Sequence, residues 1–128
     1  MESTLKPIVI SKLDAILVAI DVIEERSKSY EDVHTMISDF WGSTVFDACV
    51  LRIQTIGENI KSIDDRTQGS FLTDYPDVPW KQIIGLRNIL SHQYENIDPD
   101  IIWSVIKRHL KPLRTIVEQI KQDLDDAH

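Results

Sequence analysis

The sequence predicts an all-α protein, an up-and-down bundle of four main helices plus one short helix. Apolar residues recur at three- and four-residue spacing through most of the chain. The four Gly and five Pro are too sparse to punctuate many short strands, and no stretch alternates apolar and polar residues long enough to make one. The first helix, about Pro7 to Lys28, carries Ile10, Leu13, Ile16, Leu17, Ile20 and Ile23 on one stripe. Pro7 fits its first turn, where a missing N–H costs nothing. A short helix within Tyr30 to Asp39 turns Val33, Met36 and Ile37 inward. Ser43 can cap a long helix to about Thr67, with Phe46, Cys49, Val50, Ile53, Ile56, Ile60 and Ile63 on its inner face. Gly57 lies inside that stripe. Glycine in a helix interior costs about 1 kcal/mol relative to alanine, so its presence predicts close approach of another helix.

Gln68 to Asp77, with Gly69, Ser70, Asp74 and Pro76, reads as the one substantial loop. Pro79 opens a helix to about Tyr94. Ile97-Asp98-Pro99 signals the start of the last helix, with Asp98 as cap, Pro99 at the first helical position and Ile97 as staple. That helix runs to about Asp125, with Ile102, Val105, Ile106, His109, Leu113, Ile116, Ile120 and Leu124 facing in. Pro112 removes one backbone bond and predicts a bend near Arg108. The acidic end, Asp123 to His128, is expected to fray.

At 128 residues the chain is the size of a single domain, and 42% apolar with 27% charged residues is a globular composition. The charge, 14 − 21 = −7, excludes broad affinity for nucleic acid or anionic membrane, so any RNA contact must use a local basic patch. Cys49 is the only cysteine and no intrachain disulfide is possible. The longest apolar stretch, Ala15 to Ile20, falls far short of a membrane span, and a cytoplasmic protein with no membrane partner is expected. Glu31 and His34 form one Glu-x-x-His pair where a helical-bundle metal site needs two. The four histidines never occur as His-x-x-x-His and Cys-x-x-Cys is absent, so neither a metal nor another cofactor is expected.

The run that carries chemistry is Gly85-Leu86-Arg87-Asn88-Ile89-Leu90-Ser91-His92-Gln93-Tyr94. At about 100° per residue Asn88 and His92 share a helix face, while Arg87 lies about 140° from His92 and must reach around on its long stem. A fixed cation, an amide and an imidazole near one point suit cleavage of an RNA phosphodiester. Imidazole moves a proton at the attacking ribose hydroxyl or the leaving oxygen, and guanidinium neutralises charge building on phosphorus, with no metal required. The spacing also admits a structural reading, in which Arg87 pairs with an acidic neighbour such as Asp98 and His92 satisfies helix-end carbonyls.

Arg87-Asn88-x-x-x-His92-x-Tyr94 resembles the R-x4-H-x-Y signature of HepT-like HEPN-domain toxins, the ribonuclease partners of minimal nucleotidyltransferase antitoxins. Ile56-Gly57-Glu58 looks like that family's Ile-Gly-Glu, and Val78-Pro79-Trp80 looks like the Pro-Trp preceding its motif helix. The resemblance covers nearly the whole chain. It implies a HEPN-type bundle, a homodimer with Arg87 and His92 of both chains lining one cleft, and metal-independent RNA cleavage. It also implies a cognate nucleotidyltransferase that attaches AMP to Tyr94. An AMP there would set bulk and negative charge beside the cleft and repel RNA phosphate.

Lys107, Lys111 and Arg114 follow a one-face spacing that suits RNA contact as well as a solvated face. Trp80 and Trp103 read as core or interface residues, and His109 as a core histidine. Two further functions stay open on the sequence. One is a non-catalytic accessory subunit of a nucleotidyltransferase; the other is a nucleotide-binding dimer in which Arg87 grips phosphate and His92 is a passive donor.

Overall fold

The computed structural model describes residues 2–92 and 96–126. Every regular element among them is helical: α1 (Leu5–Ser27), α2 (Val33–Ile37), α3 (Phe40–Arg66), a 3-10 turn at Leu72–Asp74, α4 (Trp80–His92), and a final helix in three pieces, α5 (Pro99–Ser104), a π turn (Val105–His109) and α6 (Leu110–Asp126). The expected all-α bundle of four main helices and one short one is thus the observed fold. The α1 helix lies along α3 and α6, and α3 in turn carries α4. Buried Leu13, Ile16, Ile20 and Ile23 of α1 meet Val50, Ile53, Ile60 and Ile63 of α3 in one apolar core, which Ile102, Val117 and Ile120 close from the final helix. Each such side chain contributes about 1.5–3 kcal/mol by leaving water. No described helix is long and apolar enough to cross a membrane.

The start of α3 differs from the sequence expectation. Asp39, not Ser43, is its cap: Asp39 Oδ1 accepts from the Gly42 N–H at 2.6 Å, and the helix begins at Phe40. The reason is the corner with α2. A Cβ on Gly42 would stand 1.9 Å from the Met36 carbonyl oxygen, so glycine lets α2 fold straight back onto the first turn of α3 and draws that turn upstream of Ser43. By contrast Asp98 caps α5 as expected, accepting from the Asp100 N–H at 2.9 Å with Pro99 in the first turn.

In the final helix the π turn spans Val105–His109, where Pro112 lacks the N–H that would bond Arg108 and its ring crowds that carbonyl. The wider turn brings Leu110 rather than His109 in line with Ile106, and the inner face continues through Leu113, Val117, Ile120 and Leu124. His109, expected in the core, is therefore exposed on the rim of a groove lined by Ile56, Leu86 and Val105. At the acidic end the helix continues through Asp126, and Asp123 accepts a 2.7 Å hydrogen bond from the Tyr75 hydroxyl. Tyr75 in turn receives the indole N–H of buried Trp80 on its carbonyl at 2.8 Å, which pins the 68–77 loop to the start of α4.

Cys49 is buried in the core, and burial pushes its thiol up to about 11. Reaction with a disulfide reagent at pH 8 is expected to run at least roughly a hundredfold slower than in the unfolded chain, since only thiolate attacks. A thiol-release time course with and without denaturant measures this.

Candidate active site

Arg87 reaches its position through Gly57. The two helices α3 and α4 run antiparallel, and a Cβ on Gly57 would lie 2.4 Å from Arg87 Cβ, so glycine is what lets α4 seat this residue directly on α3. The expected close approach at Gly57 is thus made by the motif helix, at its arginine. One turn away Gln54 donates to Ser91 Oγ at 3.0 Å, continuing the seam toward the end of α4.

The Arg87 side chain is 28% exposed, and its Nε is buried without a hydrogen bond to any described residue. Nη1 donates to Asn88 Oδ1 at 2.9 Å, and Nε lies 4.0 Å from Glu58 Oε1. Arg87 therefore meets Glu58 and Asn88, and no ion pair joins it to Asp98. Gln54 also donates to Glu58 Oε1, at 3.4 Å. His92 is the last residue of α4; its side chain is exposed and forms no hydrogen bond or ion pair with another described residue. By their three- and four-residue spacing Gly85, Asn88 and His92 share one face of α4, and the space above Gly85 is open. Tyr94 lies outside the described residues.

Sequence reasoning missed Gln54 and Ser91 and gave Glu58 no role beyond a motif match. The available signal was two i,i+4 steps, Gln54 to Glu58 spanning the glycine within the long helix stripe and Arg87 to Ser91 within the motif run.

The three basic residues on the final helix are not equivalent. Lys107 Nζ stands 4.5 Å over the Trp103 ring, and Lys111 is exposed. Arg114 is drawn to α1, where Nη2 donates to Asp21 Oδ1 at 2.5 Å and to Glu24 Oε1. Lys121 makes a parallel tie to Asp14 at 2.5 Å, which holds its ammonium pKa above the usual value. Among the described residues no three His, Cys, Asp or Glu side chains are gathered as a metal site.

A pattern described as "Ribonuclease HepT-like" matches residues 16–120. The chain belongs to the HepT-like ribonuclease family. Two Methanocaldococcus jannaschii relatives flank this HepT-like chain in size. One, named "gamma-glutamylcyclotransferase and putative RNase", is 32% identical over 114 residues, which are 88% of this chain and 47% of that protein. The other, named "putative RNase", is 30% identical over 110 residues, 84% of this chain and 97% of that protein. The "mRNA nuclease HepT" of Shewanella oneidensis is 31% identical over 75 residues, 56% of each chain. No solved structure matches.

Proposed function

We propose that this HepT-like chain is an endoribonuclease toxin, active as a homodimer without a metal ion, in which Arg87 and His92 are catalytic and Asn88 supports Arg87. The observation that carries the reading is the seam itself: a guanidinium seated by Gly57 and held by Asn88, on the helix whose exposed end is His92. His92 takes the ribose 2′-hydroxyl proton, the 2′-oxygen attacks phosphorus, and the 5′-oxygen leaves with a proton from a second imidazole. Arg87 neutralises charge on the phosphoryl oxygens. A two-fold axis supplies that second imidazole from the other copy's His92. Exposed Leu51 on α3, one turn from Gln54, and the open space over Gly85 support apposition of a second copy on this side. Lys107 and Lys111 are the better candidates for RNA contact, because Arg114 is engaged with Asp21 and Glu24.

The test is cleavage of single-stranded RNA by the purified chain in excess chelator, alongside Arg87→Ala. Cleavage that persists without metal and drops at least about a hundredfold in the variant is expected. Turnover that needs a divalent ion, or that survives the substitution, overturns the reading.

The proposed off-switch is AMP transfer from ATP to the Tyr94 hydroxyl by a cognate nucleotidyltransferase, with release of pyrophosphate. Intact mass after incubation with that enzyme and ATP should rise in steps of one AMP, and Tyr94→Phe should gain none. An equal gain in the variant would move the site elsewhere.

A further inference from the structure

We propose that Glu58 is a positioning residue for Arg87, holding the Nε side of the guanidinium at the α3–α4 seam so that its Nη end is presented to a substrate phosphate. The inference deepens the reading of Arg87 given above and rests on it. Three observations carry it. Arg87 Nε is buried and unbonded, and a buried guanidinium N–H without an acceptor is costly. Glu58 Oε1 is the acidic oxygen beside it, at 4.0 Å, and a movement of about 1 Å would close a charge-assisted hydrogen bond. The half-exposed Glu58 side chain, with Gln54 as its second partner, has room to make that movement, while Arg87 Cβ sits directly over Gly57.

The donor count shows what this orientation achieves. A guanidinium has five N–H groups in a fixed plane. With Nε–H turned to Glu58 and one Nη1–H given to Asn88, three N–H donors remain, all on the Nη end, to meet phosphate oxygens. A carboxylate near the phosphate also repels it, so Glu58 weakens RNA capture while it aims the group that acts on the transition state. Its removal therefore separates the two effects.

Steady-state cleavage by wild type, Glu58→Gln and Glu58→Ala, with melting temperatures as folding controls, tests the proposal. Expected is a kcat lower by about tenfold or more in both variants, with KM unchanged within about twofold or decreased. Gln54→Ala should move kcat in the same direction by less. An unchanged kcat with a lower KM would mean that Glu58 acts on RNA by charge alone and would overturn the proposal. In RNA-free protein labelled with nitrogen-15, the Arg87 Nε–H resonance, assigned by its loss in Arg87→Lys, should shift and exchange faster with water in Glu58→Ala. An unchanged resonance would equally sink the inference. That arm reads Glu58 on Arg87 without turnover, whereas a wild type that cleaves no RNA speaks against the catalytic reading itself.

Discussion

Replacing His92 by alanine is expected to lower RNA turnover by roughly 10²–10⁴-fold, the range over which a general acid–base acts. It should scarcely move thermal stability. The imidazole is exposed at the end of α4 and bonds no other described residue, so its loss leaves no buried partner stranded. The combination separates chemistry from folding. Single-turnover cleavage and a thermal melt on the same preparation measure both, and a variant that melts normally and cleaves normally would remove His92 from the mechanism. Mixed dimers sharpen the result. If both imidazoles act on one bond, dimers of one wild-type and one substituted copy should retain far less than half the activity.

The second large effect is expected from Gly57→Ala. On an exposed helix this change stabilises by up to about 1 kcal/mol, because alanine is the better helix former. Here the new methyl would lie 2.4 Å from Arg87 Cβ, an atom that cannot swing aside without moving its backbone, and 3.4 Å from the Ile83 carbonyl oxygen. The α4 helix must back away, and overpacking of this kind costs about 1–3 kcal/mol. The same displacement carries Arg87 off its seat, so turnover should fall with stability. Gly85→Ala, on the open face of the same helix, is the control. Nothing lies within 4 Å of the added methyl, and the variant should melt at or above the wild-type temperature. A Gly57→Ala protein as stable as Gly85→Ala would show that the helices do not touch at Arg87.

What could be read from the chain follows the range of the forces involved. Helix identity and most inner faces are set by periodicity within one segment, and the Asp98-Pro99 start is a local arrangement that the structure reproduces. Ser43 was the wrong cap because the choice between two good capping residues is made by α2, whose Met36 carbonyl meets Gly42. His109 was misplaced because periodicity assumes an unbroken α-helix, and the final helix widens to a π turn just upstream of Pro112. At the site, Arg87, Asn88 and His92 were visible in one helix. Their neighbours Gln54 and Glu58 come from another, and only the pairing of α3 with α4 reveals that the two runs face each other.

The π turn also sets the phase between the two halves of the final helix. At its start, Asp100 lies 3.0 Å from His34 and ties α5 to α2; beyond the turn, Arg114 and Lys121 tie α6 to α1. These anchorages demand side chains at fixed azimuths, and a continuous α-helix delivers only one phase along its length. The surplus residue works as a vernier between the two scales. Deleting Arg108 would let the wide turn close to an ordinary α turn, with both sets of ion pairs kept, whereas a deletion within α6 would turn everything after it by about 100° and shift it by about 1.5 Å.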